Sequence, residues 1–225
     1  MKKKGSLASR MNVVRAAVMG ANDGILSVAG IVLGVAGANS SNYEIFLAGI
    51  SGMIAGTVSM AMGEYVSVNT QKDSQAKAVV NQKIALGESY EHEENFVQQK
   101  YLDQGIKPTL ALKATKEMMK KDALQTTVRE RYGFNLNEYS NPYSAAIASM
   151  ISFPLGSILP LVAITTAPEA WKTATTFLAV AFALAITGYS AAALNGSKKA
   201  RGLLRNIVAG AFTMIITFVI GKILG

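Results

Sequence analysis

Apolar and polar positions along the chain sort into runs too long for ordinary soluble helices and one stretch too polar to enter lipid. A hydrocarbon core about 30 Å thick is crossed by about 20 apolar residues in a helix. Five segments reach that length: residues 13–36, 43–66, 143–166, 173–194 and 203–224. Between the second and third, residues 69–142 cannot span. The pattern predicts an all-α integral membrane protein with five transmembrane helices and a helical insert between helices two and three. The domains are 1–68, 69–142 and 143–225.

The insert reads as helices over 70–87, 91–104 and 109–132, broken at Gly105-Ile106-Lys107-Pro108, with a turn-rich return over 135–142. In the membrane runs, small residues recur at four-residue spacing: Gly20 and Gly24, Gly30 and Gly34, Gly52 and Gly56. Such spacing lets backbones approach closely in lipid, so the first two helices should pack tightly or dimerise. Pro154 and Pro160 fall inside the third helix and need neighbours to satisfy the carbonyls they free.

Composition supports the membrane assignment, with 50% hydrophobic and only 16% charged residues, against about 25% charged in soluble domains. Lys and Arg exceed Asp and Glu by 22 to 14, a net charge of +8. The excess follows topology. Lys2, Lys3, Lys4, Arg10 and Arg15 precede or open the first helix, eleven basic residues lie in the insert, and Lys198, Lys199, Arg201 and Arg205 join the last two helices. Only Lys172 and Lys222 lie opposite. The positive-inside rule then places the N-terminus and insert in the cytosol and the C-terminus outside. Nucleic-acid binding is not indicated. The basic start followed by a spanning run is read as a retained first helix with no cleaved peptide, and the cell (plasma) membrane is the expected location, with a eukaryotic storage organelle as the alternative. With no cysteine, disulfides, thiolate zinc sites and iron–sulfur clusters are excluded.

Candidate chemistry lies first in the membrane. Asp23 interrupts the first apolar run and Glu64 closes the second, although an unpaired charge at a helix centre costs roughly 2.5–3.5 kcal/mol on insertion scales. Met60 stands one turn before Glu64 on the same helical face. Thioether plus carboxylate suits a borderline divalent metal such as Fe²⁺ better than Mg²⁺ or Ca²⁺. Asn22-Asp23-Gly24 is also a hairpin signature, but its flanks do not alternate as strands do. In the insert, Glu88, Glu91, His92, Glu93 and Glu94 crowd into seven residues, and Met118, Met119 and Asp122 lie on a second helix. A solvated acidic face is the simpler explanation unless these groups converge. No phosphate-binding loop, paired-histidine metalloprotease motif or nucleophile elbow is present, so enzymatic activity is not expected and uphill transport would need an ion gradient.

The stretches NVVRAAVMGANDGILSVAGIVLGVAGA, ISGMIAGTVSMAMGEYVSVNTQKDS and SFPLGSILPL resemble the vacuolar iron transporter family across nearly the whole chain. The resemblance implies a homodimer of five-helix subunits that exports Fe²⁺ from the cytosol against protons. It places Asp23, Met60 and Glu64 on the path, with no cofactor beyond the transported ion. It also implies a metal-binding insert, and Met118, Met119 and Asp122 match that pattern in KEMMKKDAL. The family's glutamate pairs match less well: Gln82 and Ala85 stand where the first would lie, Glu93 and Phe96 where the second would. Glu88, Glu91, His92 and Glu94 could compensate in a shifted register. The expected function is a divalent-metal transporter for Fe²⁺ or Mn²⁺, with metal ions, protons, the bilayer and a second copy as partners. The alternative is a metal-responsive membrane scaffold or sensor without net transport.

Overall fold

The computed structural model of the protein describes residues 7–136 and 141–225. Its helices are α1 (Leu7–Gly37), α2 (Asn42–Glu88), α3 (Tyr90–Asp103), α4 (Pro108–Tyr132), α5 (Pro142–Thr166), α6 (Lys172–Leu194) and α7 (Lys199–Leu224), with no strand among the described residues. Five of them, α1, α2, α5, α6 and α7, are long and apolar enough to cross a membrane, so this is a multi-pass all-α membrane protein. Asn22-Asp23-Gly24 lies within α1 and is helical, as its apolar flanks require.

The main departure from the sequence pattern is α2. Two helices were expected, ending at 66 and restarting at 70, whereas the chain forms one helix of 47 residues. No glycine or proline occurs between Gly63 and Gly87. A shift to polar residues ends the lipid-compatible part of a helix without ending its backbone hydrogen bonding. At the other end, Ser41 and Glu44 form a reciprocal capping pair. The Ser41 N–H and hydroxyl donate to Glu44 Oε2 at 2.7 and 2.8 Å, and the Glu44 N–H donates to Ser41 Oγ at 3.3 Å.

Two compact units divide the chain: Met11–Val66 with Pro142–Gly225, and Ser67–Asn141 with Met1–Arg10. In the first, α1 is the most buried span. Its Ile25, Val28, Val32 and Leu33 pack against Phe153, Leu161, Leu184 and Met214. Close crossings are made by glycine. A Cβ on Gly24 would lie 2.1 Å from the Phe153 carbonyl oxygen, and one on Gly156 would lie 2.1 Å from that of Ala21. The small-residue spacing of α1 and α2 is therefore used within one chain: Gly24 meets α5, and Gly56 faces the Phe153 ring. Hydroxyls fasten the same crossing, with Ser157 Oγ donating to the Gly24 carbonyl at 3.2 Å.

The second unit packs Val97, Tyr101, Ala111 and Met119 into a small core. Ser89 caps α3 by accepting from the His92 N–H, and Pro108 opens α4 at a position where its missing N–H costs nothing. Asp122 breaks α4 with an extended backbone, and its carboxylate accepts from the Gln125 N–H at 2.8 Å, so it caps the second half of that helix.

Candidate metal path and insert cluster

Residues four apart on α1 share one slanted stripe. Arg15, Met19, Asp23 and Ser27 follow at that spacing, and the first three are exposed. Contacts run along it. Arg15 Nη1 reaches Met19 Sδ at 3.5 Å, and Ser27 Oγ donates to Asp23 Oδ1 at 2.8 Å. Asp23 stands at the midpoint of the span Arg10–Gly37. It has no cationic partner among the described residues.

On α2 the two other membrane candidates have different surroundings. Met60 packs against the apolar core, while Glu64 is only 8% exposed and accepts from Arg15 Nη2 at 3.2 Å. Arg15 also lines a cavity of about 370 Å³ with Asn12, Met19, Asn195 and Arg205. With two guanidiniums and no carboxylate among its lining residues, that cavity is a poor host for a cation. The structure thus joins Glu64 to Arg15 and Asp23 to Ser27. No hydrogen bond or ion pair links Asp23 to α2 among the described residues. The sequence pattern counted Arg15 only as a topological charge and passed over Met19; the four-residue spacing to Asp23 was the available signal for both.

Asn22, beside Asp23, takes part in a polar network the sequence did not suggest. Asn206 Nδ2 donates to Asn22 Oδ1 at 2.9 Å, and Thr187 Oγ1 donates to the same oxygen at 3.3 Å. This ties α1, α6 and α7 together one residue from the central carboxylate.

In the insert, Gln82 and Glu93 come together: Gln82 Nε2 donates to Glu93 Oε2 at 2.5 Å. Arg131 then donates to both Glu93 oxygens at 2.9 Å, with its guanidinium 3.9 Å above the Phe96 ring. Glu93 and Phe96 thus both meet a guanidinium, and Gln82 joins them through Glu93. Glu93 and Gln82 are buried, Glu94 is half-buried, and Glu88, Glu91 and His92 are exposed. Among the described residues no three His, Cys, Asp or Glu side chains converge as a metal cluster.

Met119 is buried in the small core, and Met118 packs against the same core with its Sδ 3.3 Å from Tyr101 Oη. Tyr101 Oη donates to Glu130 Oε1 at 3.1 Å, which in turn accepts from Arg129 Nη2 at 2.7 Å. Burial, and then the Glu130 charge, push the Tyr101 phenol above its ordinary range, and the hydrogen bond to Glu130 raises Arg129.

Comparison with known proteins agrees with this architecture. The VIT family model matches residues 14–222. A vacuolar iron transporter of Acanthamoeba castellanii is 32% identical over 209 residues, 92% of this chain and 77% of the relative. Vacuolar iron transporter homolog 1 of Oryza sativa subsp. japonica is 31% identical over 218 residues, 96% of this chain and 76% of the relative. Vacuolar iron transporter homolog 2.1 of Arabidopsis thaliana is 29% identical over 220 residues, 96% of this chain and 83% of the relative. With five spans in place and a family match that runs from the first helix to the last, the chain belongs to the VIT family.

Proposed function

We propose that this protein moves divalent transition metal, Fe²⁺ first and Mn²⁺ as the neighbouring ion, out of the cytosol in exchange for protons, along a path lined by Asp23, Met60 and Glu64. The observation that carries the reading is Asp23, an exposed carboxylate at the middle of a membrane span with no cationic partner among the described residues. A passing dication supplies the missing charge. Relatives named as iron transporters support the choice of ion, and the thioether of Met60 favours a borderline metal over Mg²⁺ or Ca²⁺.

Metal enters at Glu64, displaces Arg15 from its carboxylate, is met by the Met60 thioether, and passes Asp23. Bound metal favours the ionised carboxylates, and its departure lets them take up protons, so the same groups couple metal exit to proton entry. The basic residues of the N-terminus, the insert and the α6–α7 connection set the N-terminus and insert on the cytosolic side. A vacuolar lumen and the cell exterior are both non-cytosolic, so the direction is the same whichever membrane holds the protein. The working unit is a homodimer, in which a second copy covers Asp23. Transport rests on the membrane path, while the insert, with Arg131 on Glu93, is held together without metal.

Purified protein in proteoliposomes tests this. Asp23→Ala and Met60→Ala should each abolish Fe²⁺-dependent proton flux while the protein still assembles. Full flux in both variants, or no net metal movement by the unmodified protein, would overturn the assignment; the second result would favour a sensor.

A further inference from the structure

We infer that the corner between α6 and α7 binds an anionic phospholipid, its phosphate on Lys198, Arg201 and Arg205 and an acyl chain along the outer face of α7. Two concavities meet there. One, about 450 Å³, is lined by Ser197, Lys198, Arg201, Gly202 and Arg205. The other, about 590 Å³, is lined by Arg201, Leu204, Arg205, Val208, Ala209 and Phe212. Arg201 and Arg205 belong to both, so a polar recess meets an apolar groove along two arginine side chains whose apolar stems line the groove. The helix period produces this arrangement: Arg201, Arg205, Val208 and Phe212, spaced by four, three and four, fall on one face of α7. Its apolar part is open, with Leu204, Val208 and Phe212 exposed by 60%, 58% and 68%.

Charge decides the occupant. No acidic residue follows Glu169 in the sequence, and none of Lys198, Arg201 and Arg205 is in an ion pair among the described residues. Lys199, by contrast, lies over the Tyr189 ring at 5.1 Å. The corner is held in shape by contact of backbones, since a Cβ on Gly202 would meet the Gly188 carbonyl oxygen at 2.6 Å. Three cations at the end of an apolar membrane-spanning face match a phosphate that carries acyl chains, where a free anion would leave the groove unused. The inference needs only that α7 spans the membrane, and it stands apart from the transport reading.

Native mass spectrometry of the full chain in detergent tests the site, with phosphatidylglycerol and phosphatidylcholine added separately after delipidation. The protein should retain one phosphatidylglycerol per chain under activation that strips phosphatidylcholine. Arg201→Gln with Arg205→Gln should weaken retention roughly fivefold per charge removed. Arg201→Lys with Arg205→Lys should keep it within a few fold, and Lys222→Gln, at the far end of α7, should leave it unchanged. Glycerol phosphate at equal concentration should not displace the lipid. Four results would overturn the proposal. They are equal retention of the two lipids, full retention by the Gln pair, displacement by glycerol phosphate (a soluble-anion site), and loss of lipid only together with loss of oligomeric state (a contact between copies).

Discussion

At the scale of residues, Arg15 changes the meaning of Glu64. A carboxylate 8% exposed already has a guanidinium at 3.2 Å, so on the proposed path a metal ion would have to compete with Arg15 for it. Arg15 is half exposed, and such pairs contribute about 1 kcal/mol or less. Removing it in Arg15→Gln should therefore lower the Fe²⁺ concentration for half-maximal transport by up to about fivefold, measured as initial uptake rates into proteoliposomes. An unchanged or higher concentration would show that Arg15 is not a competitor. In the insert, Glu93 holds a fixed cation. Arg131→Met would leave its buried carboxylate unpaired, for which the cost runs to about 3–5 kcal/mol and less here because Arg131 keeps contact with solvent. The thermal midpoint of the variant should fall by several degrees, while a chelator should leave that of the unmodified protein in place. A large chelator-induced drop would mean that metal, and not Arg131, holds these helices.

Elements meet where glycine removes the side chain. The α1–α5 crossing has no room for a Cβ on Gly24, because what it would strike is backbone and not the end of a flexible side chain. Gly24→Leu should destabilise the membrane unit by more than the 1–3 kcal/mol typical of overpacking. Gly87 has nothing within 4 Å of its would-be Cβ. Gly87→Ala should be neutral or stabilise α2 by up to about 1 kcal/mol. Thermal unfolding of the two variants in detergent separates these outcomes. The same reasoning accounts for α2, where polarity changes along the helix and the helix continues.

For the whole molecule the question is what covers Asp23. Exposed at mid-span in a single copy, it would face lipid at a cost of about 2.5–3.5 kcal/mol. In the homodimer proposed above, a second chain with its own α1 stripe and α2 would remove that exposure and close a path between copies. Single-molecule photobleaching of labelled protein in dilute liposomes should count two chains per particle. A stable, active monomer would mean that Asp23 is covered some other way.

The sequence by itself determined the five spans and the candidate carboxylates. Lipid cannot solvate a free backbone, so any run of the right length and apolarity must be helical, and a charge within it stands out against that uniform background. The resemblance to the family singled out Gln82, Glu93 and Phe96 as positions worth inspecting. The sequence could not say that Arg131, 38 residues from Glu93 in the chain, would supply the charge between them. Nor could it show that Arg15 reaches Glu64, or that Asn206 and Thr187 converge on Asn22. Those facts depend on which faces of separate helices meet. Periodicity fixes the face each residue shares with its own helix, and only tertiary packing decides what that face is set against.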